Sequence, residues 1–371
     1  MFHLPFAFSL APIKGVLLFS FLSFTPLLLP PSASCRLHPA ASVARNQTNA
    51  LPRKMADPVT LFNATTAAQV EAAIAAGGNI EAIEDGPFKM TPLISAADRG
   101  CYEVVDTLLN HGANPNNFPP LSWGALQLAA RNGHKAVVER LLKAGANINE
   151  SQGGNVGTPL SLAAQRDRVE VVEYLIANGA DKDIPDQQGK TPLMWAAINR
   201  RPQVAEILIA AGANVNLADG EGISTLMWAA NGGVVSAIDG LVSRGADINH
   251  RCHQGGDALS RAAQNKRPDA VERLLASGAN PNAQDNSGWT ALMWASSRKD
   301  ANSVRILLSR GASPAIVNND GKRPIDLAKT PDVIELLNGL SISFPLPLSL
   351  SVGERCKELT RDVSIRKAHG H

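Results

Sequence analysis

Acidic residues are missing from one whole stretch of this 371-residue chain: none stands between Met1 and Ala56, and the first, Asp57, appears where a regular pattern begins. That break divides a leader of residues 1–56 from the rest. Aromatic residues make up only 5%, which favours helices packed closely over small side chains rather than a core built on large rings. Four cysteines, Cys35, Cys101, Cys252 and Cys356, show no paired spacing, and a chain of this length needs no disulfides to make up for a small core, so reduced thiols are expected in the folded part. The net charge is only +2, too little excess to neutralise phosphates, and no nucleic-acid partner is expected. Proline interrupts the leader's apolar run at Pro26, Pro30 and Pro31, which argues against a spanning helix of roughly 20 apolar residues.

The leader itself admits three readings. Gly15 to Pro30 is apolar, and Ser32 and Ser34 precede Cys35 at signal-peptidase spacing, as in a secretory signal. The basic, Ala- and Ser-rich stretch from Arg36 to Lys54 would suit an organelle-transit segment. Alternatively Met55 is the true start, which would place the protein in the cytoplasm or nucleus. At the other end, residues 341–371 open on a Ser-Leu-Pro alternation too short and proline-broken to span a membrane, and read as a disordered tail.

Between these ends the chain repeats itself. Leu93, Leu126, Leu160, Leu193, Leu226, Leu259 and Leu292 are separated by 33 or 34 residues, and a small pair such as Ala163-Ala164 follows each after three residues. A glycine stands nineteen residues after each leucine, from Gly112 to Gly311, where it would end a helix. Thr191-Pro192, Thr158-Pro159 and Thr91-Pro92 place a capping hydroxyl before a proline at the first helical position. Gly124, Ser224, Asp257 and Thr290 keep a capping-type residue without the proline. A second helix carries Val171, Val172, Leu175 and Ile176 on one face. Gly189, Gly222, Gly255, Gly288 and Gly321, four of them preceded by Asp or Asn three residues earlier, read as hairpin turns between units.

This unit resembles the ankyrin repeat, two antiparallel helices plus a turn with a motif close to T-P-L-H-x-A. The resemblance implies an all-α solenoid over residues 57–340, helix pairs joined by β-hairpin or turn fingers, with seven full units and shortened terminal ones at Leu61 to Ile80 and Arg323 to Leu340. The motif's histidine is absent throughout, its place taken by Ile94, Gln127, Ser161, Met194, Met227, Ser260 and Met293. The resemblance also implies a protein or peptide partner held on hairpin tips and inner helices, and no catalysis: no phosphate loop, nucleophile elbow or zinc-protease helix is present. No cofactor is expected, and the repeat domain is expected to be monomeric. Two further roles stay open, a membrane-tethered or secreted scaffold using the leader, and an interaction module of a regulatory protein whose effector domain is absent here.

Three sets of residues are candidates for contact. Three positions before the repeat leucine stand Trp123, Lys190 and Trp289; the tryptophans are read either as binding anchors or as shields for the adjacent hairpin. Trp195, Trp228 and Trp294, two positions after the leucine, read as packing, with a partly exposed aromatic ladder as the alternative. At the turn joining the helices, Asp167-Arg168, Arg200-Arg201, Lys266-Arg267 and Lys299-Asp300 replace the family's glycine, which Gly133-His134 retains. With Arg166 and Arg298 they form either a basic stripe suited to an acidic peptide or ordinary solvated turns. His250, Cys252 and His253 group donors within four residues but lack the fourth ligand of a structural zinc site, and no metal is expected. Three sequons, at Asn46, Asn63 (in an expected helix) and Asn149, read as incidental.

Overall fold

The computed structural model describes residues 60–84, 89–119, 122–151 and 157–339; the leader and the tail, with the readings placed on them, lie outside those residues. Seventeen helices are present among the described residues, and no strand. The expected β-hairpins are therefore turns, with a single isolated bridge, Ala218 to Ser224.

Each full unit starts its first helix where the capping signals stand. The hydroxyl of Thr191 accepts the amide of Met194 at 3.3 Å, with Pro192 opening the helix Pro192–Ile198. Thr91, Thr158, Ser224 and Thr290 do the same for Ile94, Ser161, Met227 and Met293. Asp257 caps through its carboxylate, which accepts the Ser260 amide at 2.8 Å. Gly124 has no side chain to offer, and Gln127 supplies the contact instead: its Oε1 accepts the Gly124 amide at 2.7 Å while its Nε2 donates to the Gly157 carbonyl of the next unit at 3.0 Å. Gln127 stands at the position of the missing family histidine; Ile94, Met194, Met227 and Met293, fully buried there, add packing in place of a polar bond.

Second helices are nine residues long in every full unit, as in Val169–Ala177 and Pro202–Ala210. Val171, Val172 and Leu175 are buried from the first of these, and Val204, Ala205 and Leu208 from the next. Truncating one such leucine to alanine removes about 2–5 kcal/mol. Asp106 to Arg140 (2.5 Å) and Asp239 to Arg273 (2.6 Å) tie second helices across units at equivalent positions.

Like packs on like along the stack. First helices contact the first helices of neighbouring units, and second helices contact second helices over a smaller surface. The small pairs explain the difference: Ala163, Ala164, Ala229, Ala230, Ala262 and Ala263 are fully buried and let first-helix backbones approach. Unequal approach bends the stack, with first helices on its concave side. The terminal unit at residues 60–84 contributes only a second-row helix, Ala67–Ala75. In place of a first helix it offers the Phe62 carbonyl, which accepts from Ser95 Oγ (3.1 Å) and Arg99 Nη2 (2.9 Å). Asn63 lies in a turn here rather than in the expected helix, because its Oδ1 accepts the Thr60 amide at 2.8 Å. Pro324–Leu327 and Pro331–Leu337 close the other end of the stack.

Successive fingers are joined backbone to backbone. Gly220 N donates to Gln188 O at 2.9 Å, His253 N to Glu221 O, Asn286 N to Gln254 O and Asn319 N to Ser287 O at 3.1 Å each. Glycine is required at Gly189 for two reasons: its φ is +78°, and a Cβ there would lie 2.7 Å from the Gly220 nitrogen.

Candidate protein-binding face

The expected contact residues separate into two strips at opposite ends of the first helices, which at seven or eight residues are about 10–12 Å long. Trp123, Lys190 and Trp289 stand at the finger end, before the helix; Arg200, Arg201, Lys266, Arg267, Arg298 and Lys299 stand at the far end, after it. A partner touching both strips must cover the helices between them.

At the far end, one rule decides which basic side chains are free. Gly100, Gly133 and Gly233 adopt left-handed backbone. Over each bare Cα the next unit lays a long side chain: His134, Arg168 and Arg267 would meet a Cβ built on these glycines at 2.5, 2.8 and 2.7 Å. Each then bonds the preceding unit's backbone, His134 Nε2 to Asp98 O (3.0 Å), Arg168 Nε to Arg131 O (3.1 Å) and Arg267 Nε to Asn231 O (3.3 Å). Where the glycine is lost, Asp167, Arg200, Lys266 and Lys299 hold positive φ of 61, 56, 54 and 61°. Arg201 then forms an ion pair with Asp167 at 3.5 Å instead of a clasp. Arg201 and Arg267 thus engage the neighbouring unit, whereas Arg200, Lys266, Arg298 and Lys299 are exposed.

At the finger end the three tryptophans read as packing are half-buried, not enclosed. The reason is a hydrogen bond that sequence periodicity does not display. Trp195 Nε1 donates to Asp186 Oδ2 at 2.9 Å, Trp228 Nε1 to Asp219 Oδ2 at 3.1 Å, and Trp294 Nε1 to Asp285 Oδ2 at 3.3 Å. Each carboxylate's other oxygen accepts two finger amides, so one residue shapes the turn and holds the indole. The rings therefore form the partly exposed ladder along the concave face. Lys190 Nζ lies 5.7 Å from the Trp195 ring centre and 5.9 Å from that of Trp228, between the two. Trp289 packs on Trp294 with centroids 4.4 Å apart and a 37° tilt. Trp123 carries the Arg131 guanidinium 5.0 Å above its ring. Burial, and then the nearby Arg166, lower the Arg131 pKa, while Asp98 opposes them.

The sixth unit departs from this pattern at both partners together. Cys252 replaces the finger aspartate and Arg261 replaces the tryptophan, with Arg261 Nη2 3.8 Å from Cys252 Sγ. Sequence spacing groups Cys252 with His250 and His253, where no metal is expected, and does not single out Arg261; the paired exchange shows only when the two columns of the repeat stand side by side. The histidines flanking Cys252 serve the stack: His250 Nε2 bonds the Gly222 carbonyl at 3.0 Å, and the His253 ring lies over Gly222. No cluster of three potential metal ligands occurs among the described residues.

Paired helices stacked in register, with first helices inside and turn fingers along one edge, define a repeat solenoid of the kind that presents an extended surface instead of a closed pocket. The profile described as ankyrin repeats in three copies matches residues 61–152, 126–219, 212–285 and 259–343, and the chain belongs to the ankyrin repeat family. Among solved structures, the chain is similar to the ankyrin repeat domain of Bcl-3, described as a unique member of the IkappaB protein family. The two share 29% identity at a TM-score of 0.52, over 60% of this chain and 100% of that one. The human ASB11 ankyrin repeat domain is 26% identical at a TM-score of 0.53, over 58% of this chain and 97% of that one. None of the curated proteins compared with the chain matches it. Ankyrin repeats are generally protein–protein interaction modules. No helix among the described residues is long and apolar enough to cross a membrane.

Proposed function

We propose that this chain is a non-enzymatic interaction module that holds a segment of a partner protein along the concave face, over Trp195, Trp228 and Trp294. The observation that carries this reading is the arrangement of the three indoles: each is pinned through its N–H to a finger aspartate, and each leaves its ring half-exposed in the same register. A pinned aromatic offers large apolar area and loses little rotamer freedom on binding, the property of an interface anchor. Trp289, stacked on Trp294, extends the strip at its finger edge, and Trp123 with Arg131 marks its other end. Arg200, Lys266, Arg298 and Lys299 favour an acidic partner on electrostatic grounds, steering approach more than holding the complex. Arg201 and Arg267 support that strip by locking the units beneath it.

The test compares proteins retained from native cells by the intact chain and by its Trp195→Ala/Trp228→Ala variant, with helical content and thermal midpoint as folding controls. At least one partner should fall tenfold or more with the variant. Identical retention by a folded variant rejects the concave strip as the binding face.

A further inference from the structure

The paired exchange in the sixth unit gives the strip a chemical preference. Along the concave register two positions after the repeat leucine, the fourth to seventh units present Trp195, Trp228, Arg261 and Trp294. At three of these positions the polar group is an indole N–H satisfied by a carboxylate. At the remaining one it is a guanidinium, and the finger carboxylate that would neutralise it has been replaced by the buried thiol of Cys252. Of the five N–H bonds of Arg261, one meets a sulfur at 3.8 Å, a weak acceptor, and no carboxylate among the described residues forms an ion pair with the side chain. Three positions before the leucine this unit has Gly256, where its neighbours have Ile223 and Trp289, so that position contributes no side chain on the finger side.

We infer that Arg261 reads a carboxylate on an extended partner segment whose apolar side chains lie on the tryptophans to either side. This rests on the concave strip being the binding face. The occupant is a peptide in extended conformation, and the carboxylate is an internal Asp or Glu side chain, not a chain terminus, because the aromatic strip continues on both sides of Arg261. Stacked helices stand about 8–10 Å apart; an extended chain of the polyproline II type advances about 3.1 Å per residue and turns once in three, so residues three apart share a face and roughly span one unit. The preferred segment therefore carries its acidic residue three positions from an apolar residue on each side, with another apolar residue three further toward Trp195. A half-buried arginine flanked in register by tryptophans matches a carboxylate bidentately and loses less to solvent screening than the exposed cations at the far end of the helices.

A random twelve-residue peptide library displayed on phage and selected on the full chain tests this. Peptides retained through Trp195 and Trp228 should be enriched in Asp or Glu flanked at three-residue spacing by apolar residues. The best such peptide should bind Arg261→Gln at least tenfold more weakly. Changing its acidic residue to the amide should cost the same factor on the wild type and nothing further on Arg261→Gln. Cys252→Asp, which restores the neighbouring fingers' carboxylate beside Arg261, should weaken it similarly; both variants should keep the wild-type thermal midpoint within a few degrees, and a lower midpoint shifts the test to Arg261→Lys, expected intermediate. Peptides that depend on the tryptophans but show no acidic preference, or that keep it on Arg261→Gln, overturn the assignment to Arg261 and leave the strip intact. Failure to select any peptide whose retention depends on Trp195 and Trp228 overturns the strip and this inference together.

Discussion

Trp195 Nε1 donates to Asp186 Oδ2 at 2.9 Å across nine residues of chain, while Asp186 Oδ1 accepts the amides of Gln188 and Lys190 at the same distance. One carboxylate thus connects the turn to the concave ring. Removing the indole N–H in Trp195→Phe leaves a carboxylate oxygen without its donor and is expected to cost about 1 kcal/mol. Asp186→Asn sets an amide donor or a weaker acceptor against the indole and costs about 1–2 kcal/mol. In a double-mutant cycle by urea unfolding the coupling should be about 1 kcal/mol; additivity within about 0.3 kcal/mol would show that the bond contributes nothing to stability.

Glycine positions with equal backbone signs should differ in what a methyl group costs. Gly145, Gly133 and Gly189 have φ of 87, 84 and 78°. A Cβ meets nothing within 4 Å at Gly145, the flexible Arg168 Cδ at 2.8 Å at Gly133, and the Gly220 backbone nitrogen at 2.7 Å at Gly189. Alanine at Gly145 should cost only left-handed strain, about 1–2 kcal/mol. Gly133→Ala should cost more, and Gly189→Ala most, since backbone cannot step aside. Thermal midpoints in any other order would contradict the contact argument.

The converse exchange should stabilise. Lys266 holds φ of 54° and is exposed, and at the register position of His134 and Arg267 the next unit has Asp300, whose carboxylate accepts from Ser303 of its own helix, so Lys266→Gly removes strain without opening a cavity. A gain of about 0.5–1 kcal/mol is expected, net of the added chain entropy of glycine. A loss of stability would mean that the Lys266 side chain makes a contact worth more than the strain.

Asp257 gives stability a pH dependence. Burial raises its pKa above the ordinary aspartate value of 3.8, partly offset by hydrogen bonds from the Ser260 amide and hydroxyl and by Arg251. A carboxyl whose folded pKa exceeds its unfolded one binds protons more tightly when folded. Its contribution is therefore complete below the unfolded value and declines as pH rises through the folded one. Asp257→Asn keeps an oxygen to accept from Ser260 and does not titrate. Compared with that variant, the wild type should lose ground as pH rises past 3.8 and level off above the folded pKa. A difference that is flat with pH, or of opposite sign, would count against a raised pKa.

Much of the fold could be read along the chain because its determinants are local. The 33-residue leucine period, the Thr-Pro caps and the glycines after each second helix place every helix of the seven full units, since caps and left-handed turns involve residues two to four apart. The candidate strip is legible only in part: register marks Trp123, Lys190 and Trp289 as candidates, and at Trp195, Trp228 and Trp294 it favours packing over a partly exposed ladder, because periodicity shows only that a position recurs.

The sequence by itself determined the unit, the number of full repeats and the family, because each rests on patterns within one repeat length. Only the tertiary structure decided which members of those patterns are free. Arg200 and Arg201 are neighbours of equal charge, yet one is exposed and the other is paired with Asp167 of the preceding unit; Arg267 lies over Gly233, thirty-four residues earlier. Likewise the pairing of Cys252 with Arg261 acquires meaning only beside Asp219–Trp228 and Asp285–Trp294 in the stacked units. The physical reason is common to all three cases: stacking brings side chains from adjacent repeats into van der Waals and hydrogen-bond range, and a spacing along one chain carries no record of which of them then meet.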